Sequence, residues 1–199
     1  MKKKFLSSIV LATLLLIIPA TSQAISIGFE PISQMVGVGD SVDVALVISE
    51  LGIGYAPSVG TFDLDIFFDS TILAFNSATF GDSVLGDQLD LWGFGSLAEI
   101  TPATGTVNLF ELSFDTVDDL NTFQADSFTM ATLTFDTLAV GTSSLDIGIN
   151  ALSDAWGAPL SADVQGGSVA PVPEPATVFL VGTGLAGLGY LRKKKIIGS

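Results

Sequence analysis

The sequence predicts an all-β protein, an antiparallel sandwich of eight or nine short strands. Three observations carry this prediction. Apolar residues recur at every second position in at least five separate runs, the period of a strand with one buried and one wet face. Thr, Phe, Val and Ile dominate those runs, as a pleated, half-buried surface prefers. Short turn pairs separate the runs, and no stretch has the period of a long amphipathic helix.

The runs follow one another along the chain. Val42, Val44, Leu46 and Ile48 alternate with Ser41, Asp43, Ala45 and Ser49. Phe62, Leu64, Ile66 and Phe68 alternate with Thr61, Asp63, Asp65 and Asp69. Phe110, Leu112 and Phe114 are expected to face inward, with Glu111, Ser113 and Asp115 outward. Leu133 and Phe135 repeat the pattern, as do Leu145, Ile147 and Ile149. The expected core is therefore Leu46, Ile48, Leu64, Ile66, Leu112, Leu133, Phe135, Leu145 and Ile147. Gly39-Asp40, Asp69-Ser70, Gly81-Asp82 and Gly141-Thr142 supply turns. Leu85 to Pro102 is the least regular stretch and is expected to be a long connection or a lid between sheets.

Both ends differ from this body. Lys2-Lys3-Lys4, an apolar run from Phe5 to Ile18 and the small residues Ser22 and Ala24 form an export signal over residues 1–24, cut after Ala24. Residues 25–170 are then the exported domain. At the other end, Val172-Pro173-Glu174-Pro175 opens a third segment, 171–199. An uncharged, glycine-rich run from Ala176 to Leu191 follows, then the basic cluster Arg192-Lys193-Lys194-Lys195. Such a run reads as a single short transmembrane helix whose cations stay on the cytoplasmic side. This tail resembles the PEP-CTERM sorting signal of Gram-negative bacteria. The resemblance implies a precursor anchored in the inner membrane with its domain on the periplasmic side. It further implies processing by an exosortase, beside the signal peptidase at the N-terminus, and transfer to the cell surface or extracellular matrix.

Charge divides the chain in the same way. All 7 Lys and Arg residues lie in the two end segments, and the chain has no His and no Cys. Of the 21 acidic residues only Glu174 lies in the tail, so the exported domain carries 20 carboxylates and a formal charge of −20. Such a domain repels phosphate backbones, which argues against a nucleic-acid partner. Without His or Cys it has no Ser-His-Asp triad, no thiolate and no imidazole metal ligand.

Within the exported domain, Gly39-Asp40-Ser41-Val42-Asp43-Val44, the run Gly60 to Leu73, Ala131 to Phe135 followed by Gly141 to Leu145, and Gly166-Gly167-Ser168-Val169 resemble, in order, strands of cohesin modules. The resemblance implies an antiparallel jelly-roll sandwich of about nine strands, of the cohesin and carbohydrate-binding-module type. Phe68 and Ser70 stand where that family usually has Tyr and Pro, and the chain has no dockerin-type duplicated calcium loop, so dockerin binding is not carried over.

Candidate sites are oxygen clusters and aromatics. Asp115, Asp118 and Asp119, with Asn121, form the densest oxygen-donor cluster and are the candidate Ca²⁺ ligands, although they lack the glycine and terminal Glu of an EF-hand. No cofactor is required by the reading, and Ca²⁺ is the one allowed for. Asp82, Asp87 and Asp90 are a second acidic group, read first as soluble loop surface and second as a weak calcium site. Asp63, Asp65 and Asp69 are spaced as a carboxylate set for glycoside hydrolysis, but read better as the wet face of a strand. Trp92 and Phe94, set among glycines, are candidates to stack on sugar rings, with a buried loop plug as the commoner alternative. Trp156 is expected in the core at the sandwich edge. The leading function is a non-enzymatic surface or matrix protein with an adhesion domain. A carbohydrate-binding module for exopolysaccharide comes second and a carboxylate-only glycosidase third.

Overall fold

The computed structural model describes residues 24–173 and the single residue Thr183. Residues 1–23 of the signal segment, Glu174 and Pro175 of the sorting motif, the apolar run 176–191 apart from Thr183, and the basic cluster 192–195 lie outside the described residues. Among those described, no helix is long and apolar enough to cross a membrane.

Residues 24–173 form a two-sheet sandwich of eleven strands and one short helix. The strands are β1 (Ile25–Glu30), β2 (Ser33–Gly37), β3 (Ser41–Ser49), β4 (Val59–Phe67), β5 (Leu73–Phe80), β6 (Ser96–Ala103), β7 (Thr106–Ser113), β8 (Phe128–Thr137), β9 (Ser143–Asp154), β10 (Ala162–Gln165) and β11 (Gly167–Val172). Helix α1 (Val117–Phe123) lies between β7 and β8. One sheet has the order β10-β1-β3-β8-β5 and the other β2-β11-β9-β4-β7-β6. Pairing is antiparallel except at the margins, where β1 runs parallel to β10 and β2 parallel to β11. The excess over nine strands arises there. Both terminal segments cross from one sheet to the other side by side, around Pro31 and Gly166, so each counts as two strands. Gly167 permits this close crossing, because a Cβ there would lie 3.0 Å from the Phe29 Cβ and 3.1 Å from the Ile32 carbonyl.

The core follows the period-two pattern. Leu46, Ile48, Leu64, Ile66, Leu133, Phe135 and Leu145 are all buried, joined by Ile27, Val44, Phe62, Leu109 and Met130. Ile147 is only partly buried against them. Alternation in β3 and β4 holds as expected.

β7 corrects the expectation. Leu112 is 37% exposed and Phe114 59% exposed, whereas Val107 and Leu109 are buried and Glu111 is 0% exposed. The strand is turned over relative to the sequence reading. Its inward phase is set upstream, by Val107 and Leu109 pairing with Ile66 and Leu64 of β4, and the period of two then carries Glu111 inside. The stretch 85–102 is likewise corrected in its second half, since residues 96–102 belong to β6, paired along its length with β7. Only 81–95 is an irregular connection. Trp156 is also corrected. It is 62% exposed on the β9–β10 turn, where the Asp154 carboxylate accepts the backbone N–H groups of Trp156 and Ala158 at 2.9 and 2.8 Å.

The end of the domain bears on the tail. β11 runs through Pro171 and Val172, pairing with Val36 and Gly37. The Val172 carbonyl accepts the Val38 N–H at 3.1 Å. The last strand of the sandwich therefore ends inside the Val172–Pro175 motif, two residues beyond the expected boundary at 170.

Candidate functional site

The site is built by the β5–β6 connection (81–95), the turn 114–116 and α1. Gly81 begins the connection with a φ of 70°, a conformation that favours glycine. Asp82 then closes a tight loop, its Oδ1 accepting the N–H groups of Val84 and Leu85 at 2.7 Å each. Those two N–H groups, Leu85 first, hold its carboxyl below the usual range.

Two buried carboxamides fasten this connection to the rest of the fold. Gln124, just after α1, receives the Val59 N–H on Oε1 at 2.7 Å and donates to the Val59 and Gln88 carbonyls at 2.9 and 3.0 Å. Gln88 accepts the Ala125 N–H at 2.9 Å and donates to the Leu85 carbonyl at 2.8 Å. Leu89 plugs the core beneath, 1% exposed. A lone Gln in a polar loop gives no periodic signal, and neither residue stands out in the sequence.

On this frame stand aromatic rings. Trp92 is 52% exposed and Phe94 75% exposed, so neither is a buried plug. Trp92 meets Phe123 of α1 edge to face, with centroids 5.4 Å apart and planes at 79°. Phe123 is itself exposed. Trp92 thus has a ring neighbour, while about half of it and most of Phe94 remain in solvent.

The carboxylates divide by role. Thr116 caps α1, accepting the Asp119 N–H at 3.2 Å and donating its hydroxyl to the Asp119 carboxylate at 2.7 Å. Asp118 and Asp119 thus occupy the first turn of the helix, where the helix dipole favours acids. Asp115 instead receives the Leu91 N–H on Oδ2 at 2.7 Å, while its buried Oδ1 has no hydrogen-bond partner. Burial raises its pKa, the Leu91 N–H opposes, and Asp90, Asp119 and Asp87 add to the rise. Among the described residues no group of three or more His, Cys, Asp or Glu side chains is placed to hold a metal ion.

Glu111 is the residue the sequence hides. Its Oε1 accepts the Ser96 hydroxyl at 2.6 Å, and its buried Oε2 has no donor. Burial, then the adjoining Asp87 carboxyl, then the charges of Asp87 and Asp90 push its pKa from 4.5 up to about 8. The acidic groups at 87–90 and at 111–119, apart in sequence, meet at this point.

Asp63 and Asp65 lie elsewhere, on the outer face of the six-stranded sheet. Asn108 donates to Asp63 Oδ1 and Asp65 Oδ1 at 2.6 and 2.9 Å, and Asn150 donates to Asp63 Oδ1 and Asp65 Oδ2 at 3.1 and 3.0 Å. Asp69 is beyond the strand, in a turn closed by Thr71. The three therefore do not form one set. With no Lys, Arg or His between residues 24 and 173, amides and hydroxyls do what cations do elsewhere.

Comparison with known proteins agrees with this architecture. Residues 171–194 match the PEP-CTERM protein-sorting motif. The sandwich has the fold of cohesin domains. It resembles the sixth cohesin of scaffoldin B from Acetivibrio cellulolyticus, with 17% identity and a TM-score of 0.59, covering 75% of this chain and 100% of that one. It also resembles a non-cellulosomal cohesin from the archaeon Archaeoglobus fulgidus, with 14% identity and a TM-score of 0.57, covering 79% and 97%. A cohesin solved with a dockerin from Clostridium thermocellum gives 12% identity and a TM-score of 0.60, covering 75% and 100%. No curated protein matches the sequence. The motif and fold together define an exported protein with a cohesin-like domain. The motif implies a membrane-anchored precursor, in a Gram-negative bacterium, processed by an exosortase.

Proposed function

We propose that this is a non-enzymatic surface or extracellular-matrix protein whose cohesin-like domain serves adhesion and is delivered by its tail. The supporting observation is the PEP-CTERM motif at 171–194, set directly on the last strand of the sandwich. The mature chain is expected to begin at Ile25 and to end between Val172 and Pro175. A cut upstream of Val172 would strip β11 of its pairing with β2. Intact-mass measurement of exported material checks this, and a sole stable product that keeps Tyr190 and Lys193–Lys195 would refute it.

The exposure of Trp92 and Phe94 favours a second reading, in which the domain binds exopolysaccharide through this face. Taken at the worth of an aromatic pair, stacking on an exposed ring contributes on the order of 1 kcal/mol beyond area burial. Trp92→Ala is then expected to weaken glycan retention about five- to tenfold, with a drop in melting temperature no larger than loss of the Phe123 edge contact gives, about 4–8 °C. Equal retention by both proteins would remove the sugar reading. Dockerin-type binding has no support beyond the shared fold.

A further inference from the structure

We propose that a proton held on Glu111 is a latch fastening the aromatic 81–95 connection to β7, weakened as pH rises. As regulation of the surface carrying Trp92 and Phe94, the inference rests on the binding reading above; the latch itself does not.

The geometry carries it. Glu111 is 0% exposed, on a strand in the middle of hydrogen-bonded neighbours, so its carboxyl cannot swing out to water. Oε1 is served by Ser96 of β6, and Oε2 has no donor. The Asp87 carboxyl, which accepts the Leu89 N–H at 2.9 Å, adjoins it from the connection and raises its pKa. Two adjoining ionised carboxylates, one of them buried, repel each other and lose hydration. Something positive must stand between them. The groups acting on Glu111 are Asp87 and Asp90 from the connection and Ser96 from β6; Asp115 and, through it, Asp119 of α1 add further negative charge nearby. β4 contributes Phe62 opposite Glu111, and β6 contributes Ala98. No Lys, Arg or His exists between residues 24 and 173, and no metal-holding group is formed. A proton remains. Protonated Glu111 is neutral, which removes the repulsion and lets residue 87 stay beside β7.

The sign follows from linkage. The closed state binds the proton up to about pH 8, whereas Glu111 in an open, hydrated state holds it only to about 4.5. The closed state therefore takes up more protons throughout that window. Closure loses up to roughly tenfold in its equilibrium constant per pH unit between those values and is level outside them. The same argument makes Glu111 inaccessible to substrate and unsuited to general acid catalysis.

Hydrogen exchange of the full-length chain in detergent tests the latch. Exchange rates of peptides covering 81–95, divided by the intrinsic rate at each pH, give the opening constant. From pH 6 to pH 8 it is expected to rise on the order of fifty-fold, with β3 and β8 peptides unchanged. Glu111→Gln, a neutral amide donor in the same place, should flatten the rise, and Asp87→Asn should do so independently if the first variant fails to fold. A pH-independent opening constant in the unaltered protein would overturn the proposal, as would an undiminished rise in a folded variant. A rise abolished by millimolar CaCl₂ and restored by EDTA would also overturn it, by placing a cation where the proton is assigned. Each of these outcomes is read without glycan, so a failed latch and a failed binding site are distinguishable.

Discussion

Leu64→Ala is expected to destabilise the domain by about 2–5 kcal/mol, the range for a large aliphatic side chain removed from a core that cannot collapse around the void. Leu64 is 0% exposed on β4, which is paired on both sides, to β7 through Leu109 and to β9 through Ile149. Neither neighbour can move in without breaking its ladder. The control is Leu112→Ala on the outer face. At 37% exposure it should cost well under half as much, on the order of 1 kcal/mol. Urea unfolding measures both. Equal losses at the two positions would contradict the strand phase described for β7.

Glu174→Ala is expected to leave the precursor unprocessed in the membrane, an all-or-none effect on delivery. The motif match spans 171–194 and places Glu174 between two prolines, just beyond the last residue of β11. Because Val172 is the end of the sandwich, the substitution should not disturb folding. Melting of the variant should equal that of the unaltered chain while cell fractionation shows retention. Normal release of Glu174→Ala would show that the proline frame alone is read, and that the carboxylate is not.

How much of this was legible in advance differs by element. In β3 and along Thr61–Phe67 of β4 the alternation is long and the burial follows it, whereas in β8 the phase shifts at Met130 and Ala131, both buried. The sorting tail is a contiguous string of residue types, Pro-Glu-Pro, an uncharged run and cations, and needs no fold to be read. Trp92 and Phe94 were visible as aromatics among glycines, but only the structure shows them exposed. Asp115, Asp118 and Asp119 stand together in the sequence, but the fold gives them different partners. Two of the three fall in the first helical turn, one of them engaged with Thr116, while Asp115 turns toward Leu91 and the 81–95 connection.

By itself, then, the sequence determined the class of the fold, the strand faces of its longest runs, the division into two charged ends and an acidic body, and the sorting motif of the tail. These are local or compositional properties, set by period, residue type and order. The tertiary structure alone decided the phase of β7, because Val107 and Leu109 lock against β4 and force Glu111 inside. It also decided which carboxylates meet, since Asp87 and Glu111 are brought together only by a loop folding back over the end of the sandwich. In a domain without a single basic side chain, that meeting has to be reconciled by a proton, and no pattern along the chain records it.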